Sequence, residues 1–351
     1  GSGSSGHCNG GVVVGAEPFS PLASYSNDLY MSLAAQLDLD FHYRRKGSYR
    51  LVETSEDWDM MTEVVAGQQK RGLSVRLVSG EELHSKEPNI APDVYGAVEY
   101  PTDATLDPIR LCWALARGAV AMGARVHAFT EALSTELDAK RHVRLVRTSR
   151  GNILTRAVVN AAGCWAGQVA QSVDVDLPIT PRRGQIVVTE AANPIVGKKL
   201  NEAGGLRTQL GLGLSDTDAE RVKYGVAFVM ERTVDGNVLL GGSREFVGFN
   251  SSTTPDVVRA IVRRAVRFVP ELKRLKCIRT YAGIRPFTPD QHPIISSVDG
   301  IGGYFVAAGH EGDGISLGSI TGKLISEMIT GKELSADVQH LSLSRFSSTA
   351  C

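Results

Sequence analysis

The chain has 351 residues, long for one compact domain and comfortable for two. Apolar residues make up 42% and charged residues 22%, an ordinary globular mix that leaves no room for a disordered chain. Thirty-eight Lys+Arg balance thirty-eight Asp+Glu, so the basic face of a nucleic-acid binder is missing, and no apolar run approaches the roughly 18 residues of a membrane-spanning helix.

The opening residues GSGSSGHCNGG fit the pattern GxGxxG through Gly1, Gly3 and Gly6. No strand precedes them and no clean helix follows, so an expression scar is the other reading. Residues 24–38 read as a helix, 39–53 as strands, and 55–71 as a helix with Trp58, Met61 and Val64 at helical spacing. Asp107-Pro108 has the form of an N-cap followed by Pro, predicting a helix from Ile109 to Met122. A strand is expected over Ala124–Phe129, and a hairpin over 142–160 turning at Arg150–Asn152. Residues 178–248 read as mostly strand, and 255–269 as an amphipathic helix with Val257, Ile261, Val262 and Val266 on its apolar face. Tyr304–Ala308 reads as a buried strand leading through glycines into a helix to about residue 330, and the last twenty residues as a polar tail. Cys8, Cys112, Cys164, Cys277 and Cys351 include no CxxC pair, so neither a zinc site nor a disulfide framework is signalled, and a reducing, cytoplasmic setting is expected.

Three glycine clusters at strand ends carry the chemical signal. In Val158–Trp165 a buried strand runs into Ala161, Ala162 and Gly163, which suits either a tight turn or close approach by a cofactor. In Gly309–Ile315 a strand, a glycine-rich loop and a helix N-terminus offer backbone N–H groups to an anion. His310 there is a structural or a cofactor-contacting histidine, and Asp313 is a helix cap or a site residue. In Tyr281–Asp290 the guanidinium of Arg285, between Gly283 and Pro286, is either a fixed fork for a carboxylate or an exposed turn residue. No Ser-His-Asp order, paired-carboxylate motif or metal-ligand cluster stands out, which points to chemistry carried by a bound cofactor.

These clusters, with Pro181–Gln185 and Asp235–Ser243, resemble in order the motifs of the D-amino-acid oxidase/glycine oxidase superfamily of FAD-dependent oxidoreductases. Ser243–Phe249 and the loop Gly309–Ile315 are most similar to catalytic beta subunits of multi-subunit dehydrogenases, of the opine oxidase, hydroxyproline dehydrogenase and hydrogen cyanide synthase type. The resemblance implies a mixed α/β fold. A Rossmann-like FAD-binding domain (1–44, 105–178 and 280–351) would interleave with a substrate domain (45–104 and 179–279) built on a large mixed or antiparallel sheet. Family members open with a strand, GxGxxG and a helix, and this chain aligns from just after that unit. The expectation is that the unit is lost, cleaved or supplied in trans.

The resemblance further implies FAD held by Ser4, Ser5, His7, Cys8, Ala162, Gly163, Trp165, Gly283, Gly309, His310, Glu311, Gly312, Asp313, Gly314 and Ile315. Attachment is expected to be non-covalent, with a covalent link at His7 as the alternative. Gly283 stands where monomeric sarcosine oxidases carry a flavin-linked cysteine, so that linkage is not expected. Arg285 would bind the substrate carboxylate, with Arg244 as second candidate, and Phe228 stands where glycine oxidases place a tyrosine. No general base is assigned. The expected reaction is hydride transfer from the C–N carbon of a proline-like, opine, glycine or sarcosine-type substrate. Partner subunits with FAD, NAD or iron–sulfur centres would take the electrons and provide any membrane association. A cofactor-free subunit keeping the fold is the alternative reading.

Overall fold

The structure is a computed structural model describing residues 1, 3–209 and 219–349. A 3-10 turn (Ser4–His7) leads to β1 (Gly11–Val12) and then to α1 (Ser20–Gln36). β2 (Ser48–Val52) precedes α2 (Ser55–Lys70), whose N-cap Thr54 accepts from the Asp57 N–H and whose Met61 is fully buried. β3 (Arg76–Ser79), α3 (Gly80–Lys86), β4 (Gly96–Tyr100) and β5 (Ala104–Thr105) follow. Asp107 caps α4 (Pro108–Ala121) as its sequence predicts, accepting from Ile109 N at 2.9 Å and Arg110 N at 3.0 Å. A meander of β6 (Ala132–Leu137), β7 (Val143–Thr148) and β8 (Gly151–Leu154) comes next, then β9 (Val158–Asn160) and α5 (Ala166–Ala170).

The second half contributes β10 (Thr180–Ala191), β11 (Lys199–Glu202), α6 (Gly204–Gln209), α7 (Ala219–Tyr224), β12 (Val229–Arg232) and β13 (Asn237–Gly241). After α8 (Pro255–Phe268) come β14 (Cys277–Phe287), β15 (Ile294–Ser297), β16 (Tyr304–Ala308) and α9 (Gly314–Thr330). A mixed eight-stranded sheet has the order β14-β10-β13-β12-β11-β2-β4-β3, with β11 parallel to β2. Strands 150 residues apart in sequence are thus neighbours in space. A smaller sheet, β15-β16-β9, pairs β16 with β9 in parallel.

Side-chain alternation gives the large sheet two distinct faces. Val187, Leu240, Met230, Leu200 and Tyr49, in register across five strands, are buried in one core with Val257, Ile261, Ala265 and Phe268 of α8. The apolar stripe read from the sequence is therefore the stripe that α8 buries. The residues one position along face the other way and floor the site. A second core joins α1 to α9 through Leu22, Ala23, Leu317, Ile320 and Leu324.

Several elements differ from their sequence reading. Ala124–Phe129 forms no strand: no described strand lies beside it to complete a ladder, and Val126 and Phe129 are exposed. The hairpin's second arm ends at Leu154, and Val158–Asn160 crosses into the smaller sheet, where it is an edge strand with Val159 exposed rather than a buried strand. The C-terminal tail is packed, because Val338 and Leu341 are buried against the α1–α9 core. Of the strand-rich stretch expected over 178–248, residues 203–209 and 219–228 carry no strand, holding instead the short α6 and α7, and 210–218 lie outside the described residues, as does Cys351.

Candidate active site

Two cavities adjoin, the first against the large sheet and the second against the smaller sheet and α9. The first, of about 260 Å³, is lined by Ser4, Ser5, His7, Cys8, Gly283, Glu311, Gly312, Asp313, Gly314 and Ile315 of the expected cofactor set, and by Arg244, Arg285 and Phe228. The second takes Ala162, Gly163, Trp165 and His310, and shares Ser4, Ser5, Glu311 and Gly314 with the first. Gly309 lines neither: it turns the chain at φ +80°, where an added Cβ would press on Thr288. The fifteen residues, drawn from four separate stretches, thus converge around one continuous trough, Gly309 excepted.

The N-terminal segment is stitched to the sheet. Ser4 Oγ donates to Ile284 O at 2.5 Å and Cys164 Sγ to the same oxygen at 3.1 Å. Gly283 must be glycine here, because a Cβ would collide with the His7 carbonyl. His7 itself is exposed, its Nδ1 3.0 Å from Gly3 O. Burial pushes the Cys8 thiol up to about 12, which keeps it protonated and unreactive. Further along, Gly10 N donates to Glu231 Oε1 at 3.0 Å and Val14 N to Asp103 Oδ1 at 2.8 Å, so side chains of the large sheet and its flank fix the loop 10–14.

Arg285 lies across two glycines: a Cβ at Gly184 would clash with its guanidinium, and one at Gly242 would crowd it. Its Nη1 donates to Ser243 O at 2.8 Å, and its Nε stands 3.7 Å from Glu311 Oε1. Glu311 also accepts from Arg182 Nε at 3.1 Å, and Arg182 is opposite Arg285 in the β10–β14 register. Burial raises the Glu311 carboxyl, but Arg285, Arg182 and Arg244 outweigh it and hold the group below its ordinary range. Glu311 adopts a left-handed backbone, φ +47°, unusual for a residue other than glycine, so the loop accepts strain to aim this carboxylate inward. Arg244 is only weakly held, its Nη1 3.4 Å from Gly225 O, and burial lowers it to about 10.

Asp313 occupies the N-cap of α9 without making a side-chain cap bond, so the first N–H groups of that helix are left for another acceptor. Burial, then the neighbouring Glu311 charge, push its carboxyl up to about 6. His310 is lowered to about 4 by burial and sits 2.9 Å from Thr321 Oγ1, a neutral contact residue with no proton to give at neutral pH. The ring of Phe228 stacks on Phe268 at 4.9 Å in the α8 core, so only its flank borders the cavity. Arg50, Lys199 and Asn201 also line the first cavity and were not singled out from the sequence. The available signal was a charged residue in the middle of a strand, Arg50 in Ser48–Val52, all five of whose residues are buried.

A trough bounded by small residues, an uncapped helix N-terminus and a cluster of arginines has the chemistry of a site for a cofactor and an anion. Among the described residues no group of His, Cys, Asp and Glu could hold a metal ion, and no helix is long and apolar enough to cross a membrane. The FAD-dependent oxidoreductase (DAO) family model matches residues 1–328, and the chain belongs to that family. It is 31% identical to the hydrogen cyanide synthase subunit HcnC of Pseudomonas aeruginosa over 334 residues, 93% of this chain and 74% of that protein. It is 28% identical to glycine oxidase of Geobacillus kaustophilus over 336 residues, 94% of this chain and 82% of that one. The crystal structure of that glycine oxidase superposes with a TM-score of 0.86 at 25% identity, covering 98% of this chain and 89% of the other. L-Proline dehydrogenase from P. horikoshii shares the fold with a TM-score of 0.88 at 23% identity, over 99% and 89%.

The trough fits FAD. Gly312 and Gly322 border open space where a Cβ would meet nothing, and the uncapped start of α9 opens on both cavities. The protein is an FAD-dependent enzyme.

Proposed function

We propose that this protein oxidises the C–N bond of a small amino or imino acid, as the catalytic subunit of a dehydrogenase complex. The observation that carries this reading is Arg285, held flat over Gly184 and Gly242 with its outer face on the cavity, as a carboxylate anchor requires. The activities of the similar glycine oxidase and HcnC subunit support it. Bound FAD supplies the two-electron oxidation at the carbon next to nitrogen.

The chain's own residues prepare that step. Arg285 fixes the carboxylate and Glu311 fixes Arg285. The glycine floor at 184, 241, 242 and 283 removes side chains from between substrate and cofactor. His7 and Gly283 would border the flavin ring, and the loop 310–315 with the start of α9 would hold the ribityl–pyrophosphate region, where the positive helix end favours negative charge. Burial lowers His310 to about 4, too weak a base to hold a proton, and Glu311 is tied to arginine, so neither takes a proton from the substrate; the amine binds already neutral. A partner subunit is supported by the apolar surface of Phe246, Val247 and Phe249, the last stacked on the exposed Trp165.

The test is anaerobic mixing of the purified flavoprotein with glycine, sarcosine, proline and N-carboxyalkyl amino acids, with the absorbance of oxidised flavin followed. Bleaching by at least one, with turnover faster on an artificial dye than on oxygen, is the expected result. A protein that binds FAD but is bleached by none of them refutes the amino-acid reading. Stoichiometric peroxide from the pure chain refutes the dehydrogenase-subunit reading.

A further inference from the structure

The floor of the first cavity is one row of residues in register across the large sheet: Ile186 on β10, Gly241 on β13, Val229 on β12, Asn201 on β11 and Arg50 on β2. Its middle is bare or small; Arg50 on β2 stands at one end, and the guanidinium of Arg285, reaching in from β14 over Gly184 and Gly242, stands beside the other half of the row. The Arg285 guanidinium reaches over Gly184 to Gly242, next to the β13 position of that row, and three inter-strand steps of about 4.8 Å, roughly 14 Å in all, separate β13 from β2. The two groups therefore cannot both hold one carboxylate.

Arg50 is 8% exposed, and its Nη1 is buried without a hydrogen-bond partner. Its Nη2 reaches Gly15 O only at 3.5 Å, and the guanidinium rests 5.2 Å from the Tyr100 ring centroid. Among the described residues it forms no ion pair. The carboxylates whose charge reaches it are Asp103 and Asp313. Asp103 is already engaged by Ser48 Oγ at 2.6 Å and Val14 N at 2.8 Å. Beside Arg50, Asn201 Oδ1 is also buried and unpaired. Lys199 belongs to a different pair, 3.7 Å from Glu231. An unsatisfied buried donor on a cavity wall is costly unless a ligand completes it, and the Asn201 amide, turned over, presents its NH2 beside Arg50 to the same acceptor.

We propose that Arg50 and Asn201 form a second subsite that receives a distal carboxylate, so that the substrate is an elongated amino or imino acid bearing carboxylates at both ends. This rests on the reading of Arg285 as the first anchor. Because the ends are far apart, selection acts on chain length as well as charge: a short diacid engages one end only.

The experiment titrates the holoenzyme with α,ω-dicarboxylates (succinate, adipate, pimelate) and the matching monocarboxylates (butyrate, hexanoate, heptanoate), with the visible absorbance of bound flavin as reporter. Adipate or pimelate is expected to bind at least tenfold more tightly than its monocarboxylate, with no such advantage for succinate. Arg50→Gln removes the advantage. Asn201→Asp, nearly isosteric and so the safer variant for folding, removes it too by placing a negative charge in the subsite. Equal binding of diacids and monoacids at every length overturns the proposal, as does an advantage that survives both variants. So does a changed spectrum of the unliganded flavin in Arg50→Gln, which assigns Arg50 to the cofactor. Failure of the anchor reading looks different: monocarboxylates then bind equally well to the wild type and to Arg285→Ala.

Discussion

Replacing Arg285 by Ala separates substrate anchoring from folding, because its internal bonds are few. Within the protein Arg285 makes one good hydrogen bond, to Ser243 O at 2.8 Å, and a distant contact to Glu311. Glu311 keeps Arg182 at 3.1 Å when Arg285 is gone, so no carboxylate is stranded. The expected stability loss is therefore that of a single hydrogen bond, about 1 kcal/mol. A substrate carboxylate that loses its buried partner forfeits roughly 3–5 kcal/mol. At about 1.4 kcal/mol per factor of ten, kcat/KM should fall at least ~100-fold. Stopped-flow flavin reduction and steady-state turnover measure this, with Tm and flavin content as controls. A decarboxylated amine analogue should lose little further on the variant, and Arg285→Lys should recover only part, since an ammonium cannot form the fork. Gly184→Ala supplies an independent arm: its Cβ displaces the guanidinium and should reproduce the defect with Arg285 still present. Near-normal kcat/KM for Arg285→Ala, together with a severe loss for Arg244→Ala, would show that the anchor is the other arginine.

Asp313 has a folded carboxyl near 6 against an ordinary 3.8, so the native state holds its proton more tightly and stability declines as pH rises through that window. Asp313→Asn should raise Tm at pH 7–8, by no more than the equivalent of about 3 kcal/mol, and leave it unchanged near pH 4; a gain that is equal at both ends contradicts the assignment. Arg182→Met leaves Glu311 with no closer cation than Arg285 at 3.7 Å, besides the Gly312 N–H it already accepts from, and should destabilise by roughly 3–5 kcal/mol in denaturant titration, far more than Arg285→Ala. Phe228→Ala should cost roughly 3–5 kcal/mol through the cavity it leaves against Phe268, and its purified folded fraction should keep the wild-type KM, which a substrate-contacting role would not allow.

The sequence carried local information well. The Asp107-Pro108 cap, the α8 stripe and the glycine loop before α9 are set by residues a few positions apart, and all three form where their spacing predicts. What it did not display are facts of pairing. Ala124–Phe129 has strand composition but no neighbour, and strand character without a ladder is not a strand. Arg285 stood out because glycine and proline flank it, whereas Arg50 sits in an apolar run whose orientation depends on a parallel pairing with residues 199–202. Until that register is known, Arg50 and Asn201 are two unrelated polar residues. Phe228 is an intermediate case: it lines the first cavity, as its position suggested, while its ring stacks on Phe268 in the α8 core, which only the pairing of the sheet reveals.

The arginine cluster has a bearing on buffer chemistry. Arg182, Arg244 and Arg285 converge on Glu311, their nearest carboxylate, and Asp313, the next, carries little charge below pH 6. Below pH 6 the pocket thus holds more positive charge than its own carboxylates neutralise, and a charge so enclosed draws a counter-ion. Small monovalent anions such as chloride, acetate and formate should accordingly act as competitive inhibitors at the substrate carboxylate's position. Exchanging the anion at constant ionic strength should change apparent KM in order of anion fit, whereas exchanging sodium for potassium should change nothing.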